Sequence, residues 1–279
     1  MSESEQKAVD NAQQEAHIFR KALPMQVMLH EVLRALGPVD GQSCLVIGSR
    51  NGNFSSLLRQ QGGTWSDVVE DAQSERAVSC MVADEIYRFE NGVLPFKNKH
   101  FDAILVLNFL EIVADDYSFI EECHRVLKAD GRMVVNARHL KGYSLLQPLE
   151  RLCRLNAQST GQTRGGYTES ELFRILKNGF NVLNVRSYSR FFLLLVDLFV
   201  RLAARRRRSE DGEDADLRTA YSVAGPFYRI ADQLDLLIFF TRGYRLIASA
   251  KRRAWRPRNA PVLVDGRSIS EAVLSRPGV

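Results

Sequence analysis

Along the 279-residue chain, short runs of consecutive apolar residues alternate with longer segments whose apolar positions recur every three to four residues. The first run, Cys44-Leu45-Val46-Ile47, is closed by Gly48. It predicts a buried parallel strand, since such a strand is apolar on both faces. Residues 53–60 follow with Phe54, Leu57 and Leu58 at helical spacing. Strand, glycine-bearing turn and helix make the opening of a doubly wound sheet. Residues 67–70 predict a second strand, and residues 77–87 a weaker helix or a third strand. Residues 101–107 (FDAILVL) carry the strongest strand pattern, residues 115–127 a helix stopped at Asp130-Gly131, and residues 132–137 (RMVVNA) another buried strand. Thr168-Glu169-Ser170-Glu171 has the form of a capping box opening a helix that Gly179 ends, after which residues 180–185 regain strand character. The alternation predicts an α/β protein with a Rossmann-like, doubly wound, mostly parallel sheet.

The two ends of the chain read differently. Residues 16–36 show a helical period through Ile18, Leu23, Met25, Val27, Met28, Val32 and Leu33, with Pro24 expected to kink it. Residues 191–204 are intensely apolar; Arg205, Arg206, Arg207 and Arg208 then lead into an acidic stretch at 210–216, a charge block read as a solvated loop. Residues 228–240 predict a second apolar helix, residues 243–251 (GYRLIASAK) a closing strand, and the tail from Arg252 a disordered segment. The expected layout is an N-terminal helical segment at 1–40 and a Rossmann-like core at 41–190. A helical C-terminal insertion or cap with the closing strand occupies 191–251, and a basic tail 252–279.

Composition adds three constraints. Hydrophobic residues at 45% and charged ones at 25% are ordinary for a globular chain with a sizeable core. The four cysteines (Cys44, Cys80, Cys123 and Cys153) form no CxxC pair and have no histidine at ligand spacing, which argues against disulfide scaffolds and metal sites and for a reducing cytoplasm. The polar first residues do not resemble a secretory signal, and no run of eighteen apolar residues occurs. The formal net charge of +5 gathers in the last third of the chain. Arg201 and the Arg205, Arg206, Arg207, Arg208 cluster, beside an apolar stretch too short to cross a bilayer, suit a helix lying at an anionic membrane surface. A core helix or a cap over the cleft fits the same stretch. Nucleic-acid binding is disfavoured, because no aromatic recognition motif accompanies the arginines.

Three segments in register resemble the class I S-adenosylmethionine-dependent methyltransferases, in particular their type 11 domain group. Val46-Ile47-Gly48-Ser49-Arg50-Asn51-Gly52-Asn53-Phe54-Ser55 is similar to the family's first motif. Leu94-Pro95-Phe96 with Phe101-Asp102 resembles its approach to the fourth strand, and residues 120–135 (IEECHRVLKADGRMVV) its following helix, turn and fifth strand. The turn at Gly48 and Gly52 is G-x-x-x-G rather than G-x-G-x-x-G, which disfavours a dinucleotide.

The resemblance implies S-adenosylmethionine as cofactor; no acceptor signature is readable, and the expected acceptor is a small or lipid-like molecule. It implies cofactor contacts from Gly48, Ser49, Gly52 and Asn53 of the turn, Glu70 and Asp71 on the ribose hydroxyls, Glu90 or Asn91 near the adenine, and Asn108 and Phe109 after the fourth strand. Phe109 reads equally as core filling, and Glu111 as a cleft or a surface residue. Two departures stand out: Val46 occupies the family's acidic position and Arg50 its middle glycine. Losing a charge-assisted hydrogen bond of roughly 1.5–3 kcal/mol weakens a ligand by about ten- to a hundredfold. The departures therefore support a second reading, a catalytically silent binding or scaffold protein. Should the acceptor carry a proton, His139 is the best-placed base, followed by Tyr143 and Tyr167, with a loop residue without chemistry as the bland alternative.

Overall fold

Residues 101–107 form the centre of the molecule because neither face of this strand has anywhere polar to point. The computed structural model describes residues 22–49, 52–82, 84–140, 164–188, 191–207, 227–228, 230–231, 233–234 and 243–255. Its strands are β1 (Ser43–Ile47), β2 (Thr64–Val69), β3 (Ile86–Arg88), β4 (Phe101–Leu107), β5 (Leu127–Arg138), β6 (Phe180–Tyr188) and β7 (Arg245–Arg252). Its helices are α1 (Leu23–Leu36), α2 (Gly52–Arg59), α3 (Ala72–Ser79), α4 (Asp116–Val126), α5 (Glu169–Leu176) and α6 (Phe191–Arg207). All seven strands join one sheet in the order β3-β2-β1-β4-β5-β7-β6. The pairs from β3 to β5 are parallel, and β7 runs antiparallel between β5 and β6. The doubly wound, mostly parallel sheet is thus present, with the closing strand built into the core rather than appended to it.

Side-chain alternation sorts two cores onto the two faces. Leu45, Ile47, Ile104, Val106, Met133 and Val135 meet Phe119, Ile120 and Cys123 of α4 and Leu172 and Leu176 of α5. Cys44, Val46, Ala103, Leu105 and Val134 face Val32 and Leu36 of α1 and Phe54 and Leu58 of α2. The capping box opens α5, with Thr168 and Glu171 bonded reciprocally.

Several elements depart from the expectation. Pro24 lies in the first turn of α1, where its missing N–H costs nothing, so it starts this helix instead of kinking it. Residues 77–87 divide between the end of α3 and the short strand β3, separated because Asp71 caps a helix that begins before them. The arginine run is not a loop as far as Arg207: α6 carries it as helix. The tail is ordered to Trp255, which packs on Tyr117 and His124 at ring-centroid distances of 5.8 and 5.0 Å. Arg253 N–H donates to the Gly179 carbonyl at 2.9 Å, so a large aromatic anchored by backbone bonds holds this segment. Expectations for residues 1–21, Arg50, Asn51, Tyr143, Arg208, the acidic stretch 210–216, most of 228–240 and the tail beyond 255 fall outside the described residues.

Candidate functional site

The carboxyl ends of β1, β2, β3 and β4 share one rim of the sheet, and the order changes direction between β1 and β4. Ligands of open α/β sheets collect at that switch point. Gly48 and Ser49 leave β1 there, Glu70 and Asp71 follow β2, Glu90 and Asn91 follow β3, and Asn108 and Phe109 follow β4. The topology therefore gathers every predicted cofactor residue on one edge.

Local geometry separates them. Gly48 has φ +82°, and a Cβ there would strike the Leu107 carbonyl and lie 3.0 Å from the Phe109 Cβ. Only glycine lets the turn press so closely against the end of β4. Gly52 is needed for another reason: an added Cβ would sit 2.7 Å from the Ala77 carbonyl and from the Met81 Cβ, so this glycine lets α2 start against α3. Ser49 and Asn53 are buried. Asp71 accepts from the Ser74 N–H at 2.7 Å and caps α3, leaving Glu70, half-buried beside the glycine turn, as the better placed of the two acids. Glu90 and Asn91 stand in an exposed turn, with Asn91 at φ 56°. Phe109 is core filling; it is fully enclosed and packs on Phe89 at 5.4 Å and Phe119 at 5.2 Å.

The candidate bases are anchored from inside. His139 is buried, and its Nδ1 lies 2.7 Å from the Gly243 carbonyl oxygen. A carbonyl only accepts, so Nδ1 carries the proton and the lone pair of the ring falls on Nε2. Tyr167, bridged to His139, donates its hydroxyl to the Leu110 carbonyl at 2.9 Å. Burial, reinforced by the Asp116 charge, holds this phenol above its ordinary range, so it does not serve as a base near neutrality. Glu111 is buried and not a surface residue: it accepts from the Arg138 N–H, and burial raises its carboxyl above the usual glutamate value.

Two polar clusters escaped the sequence reading. Beneath the glycine turn, Asp67 of β2 is fully buried. It pairs with Arg59 at 2.7 Å and accepts from Ser55 Oγ, which lies 2.8 Å from Ser49 Oγ. Burial raises the Asp67 carboxyl, with Arg59 and Ser55 pulling against it. Across the switch point, Asn136 Nδ2 donates to Asn108 Oδ1 at 3.2 Å, Arg245 Nη1 reaches the same oxygen at 2.7 Å, and the Tyr188 hydroxyl bonds Asn136 Oδ1. A charged residue inside an apolar strand was the signal for Asp67; it lay just at the predicted strand boundary. The second cluster joins residues far apart in sequence and has no local signal.

Residues 45–135 match a family described as "Methyltransferase domain". A curated relative, demethylmenaquinone methyltransferase of Tropheryma whipplei (strain Twist), is 32% identical over 125 residues, which are 44% of this chain and 48% of that protein. The chain thus spans about half the length of the curated relatives it matches. Among solved structures, the [4+2]-cyclase SpnF superposes with a TM-score of 0.56 at 16% identity, covering 82% of this chain and 80% of that one. A geranyl diphosphate C-methyltransferase from Streptomyces coelicolor A3(2), in complex with Mg2+, geranyl-S-thiolodiphosphate and S-adenosyl-L-homocysteine, gives 0.50 at 14% identity, with coverages of 82% and 76%. At such identities the likeness is one of fold.

Proposed function

We propose, for a chain built on the class I methyltransferase fold, that it is an S-adenosylmethionine-dependent methyltransferase acting on a small or lipid-like acceptor. The observation that carries this reading is the rim itself: within the matched domain, the turn after β1, the acid after β2 and the polar end of β4 converge at the switch point. The residue types at this rim suit the cofactor. Gly48, at φ +82°, lets the chain leave β1 close against the end of β4, and Glu70 at the end of β2 has two oxygens suited to the two ribose hydroxyls. Gly48, Ser49, Gly52 and Asn53 would hold the amino-acid end, Glu70 the ribose, and Glu90 or Asn91 the adenine edge. When bound, the cofactor supplies an electrophilic methyl group on a sulfonium. The protein's part is then alignment and exclusion of water, which contributes up to about 7–11 kcal/mol in well-oriented cases. For an acceptor that must lose a proton, His139 Nε2 is the group to receive it, its ring held by Gly243.

The lipid-like acceptor is supported by the name of the curated relative, demethylmenaquinone methyltransferase. It is supported also by exposed apolar side chains in the C-terminal part of the chain. Phe199 of α6 is exposed, as are Phe227, Ile230 and Leu234, which follow one another at helical spacing. α6 itself packs Leu193 and Val200 against Ala22 and Tyr228, and its Asp197 accepts from the Tyr228 hydroxyl at 3.2 Å. Among the described residues no helix is long and apolar enough to cross a membrane. Exposed Phe199 on a helix whose sequence runs on through Arg201 and Arg205 to Arg207 supports a helix resting on an anionic surface. Flotation with anionic liposomes tests this part, and binding unchanged after replacing Arg205 to Arg208 by Gln would refute it.

Thermal melting with S-adenosylmethionine and S-adenosylhomocysteine tests the main reading, because a ligand of the native state raises the melting temperature. No shift at millimolar ligand favours instead a silent module on the same fold, the reading that Val46, buried in β1, supports. His139→Gln should lower turnover by about a hundredfold if the acceptor loses a proton to this ring, and leave cofactor binding intact.

A further inference from the structure

β1 carries no acid beneath the glycine turn, yet a carboxylate lies directly beside that position. Val46 of β1 and Asp67 of β2 are register partners in a parallel pair. Partners on neighbouring strands send their side chains to the same face, about 4.8 Å apart. Asp67 is therefore one strand over from Val46, on the face that α2 covers. A fully buried carboxylate persists only where its charge and lone pairs are met. Arg59 meets one oxygen and Ser55 the other.

The Ser55 hydroxyl is placed to donate to Asp67 Oδ1 and to Ser49 Oγ, the latter 2.8 Å away, so this one group joins the carboxylate to the residue that leaves β1. Ser49 directly follows Gly48, whose backbone is already pinned against β4. The chain of three side chains ties Ser49 from below to α2 and β2.

We infer that Asp67, acting through Ser55 and Ser49, is a positioning residue that sets the turn after β1 for the amino-acid end of the cofactor, a task for which β1 offers only a valine. The inference rests on the cofactor reading above. It differs from a plain structural ion pair in what it affects: the turn, and not merely the attachment of α2 to β2.

The test is calorimetric titration of the full chain with two ligands. S-adenosylhomocysteine carries the amino-acid end, whereas 5′-methylthioadenosine lacks it. Ser55→Ala should raise the Kd for S-adenosylhomocysteine about tenfold, as one lost hydrogen bond does. The Kd for 5′-methylthioadenosine should change less than about twofold, because the lost bond no longer bears on any part of that ligand. Ser55→Thr keeps the hydroxyl and should restore the first affinity. Ser49→Ala offers a second route should Ser55→Ala fold poorly, and it should reproduce the same selective loss. The double variant should be no weaker than either single one, since both break the same chain. Wild-type binding with no change in either variant, an equal loss for both ligands, or additive losses would overturn the inference alone. A wild-type chain that binds neither ligand would overturn the cofactor reading and this inference with it.

Discussion

Two buried polar clusters flank the switch point on the same face of the sheet, and they are built differently. Under the cofactor half, Ser49, Ser55, Arg59 and Asp67 come from one β-α-β unit and centre on an ion pair. Under the other half, Asn136, Tyr188 and Arg245 come from three strands and Asn108 from the turn after a fourth, and amides form the centre. The first places a charge where water cannot reach it, so its parts are individually hard to remove. The second sets one cation, Arg245, among neutral amides and a phenol, and ties the ends of β4, β5, β6 and β7 together. The ionic cluster organises a turn; the amide cluster organises a rim.

The largest expected effect separates them directly. Asp67→Ala takes the buried carboxylate from Arg59, which keeps Asp84 at 2.7 Å, and leaves a hole beneath the glycine turn; it should cost about 3 kcal/mol in urea denaturation. Asn136→Ala in the amide cluster should cost only about 1–2 kcal/mol, and the reverse ranking would break the contrast. Next, Gly48→Ala forces a side chain into a left-handed backbone against the Leu107 carbonyl. It should cost about 2 kcal/mol and abolish cofactor-induced melting shifts.

Glu111, buried beside the amide cluster, gives a pH-dependent test. Burial raises its folded-state pKa, so the folded protein holds that proton more tightly than the unfolded chain does. The stability it contributes is fully present below the unfolded value near 4.5 and is lost as pH rises through the folded one. Glu111→Gln should therefore be the more stable form at pH 8, by about 1 kcal/mol, with the gap closing toward acid. A gap that widens toward acid would contradict the burial argument. The smallest effect is Tyr188→Phe, which leaves the Asn136 carbonyl oxygen without one donor and should cost about 1 kcal/mol by the same denaturation measurement.

Legibility followed the same division between local and long-range order. β1, β4 and the capping box of α5 were readable because each is a pattern within a few residues: an apolar run, or Thr168 and Glu171 three apart. The strand β3 was blurred because it lies at the sheet edge and buries little, so its composition is not constrained. The candidate site residues follow the turn and strand ends that local patterns made readable. Their packing was not readable: Phe109 fills the core, Asp71 caps α3, and Gly52 serves helix packing.

The sequence by itself determined the alternation of strands and helices, the glycine turn after β1 and the rim at which it opens, since periodicity and backbone freedom are properties of neighbouring residues. Only the tertiary structure decided that a carboxylate sits beside Val46, that β7 enters between β5 and β6, and that Trp255 anchors the end of the last strand. Those outcomes depend on which strand pairs with which and in what register. Pairing energies are summed across distant segments, and no local window of residues contains them.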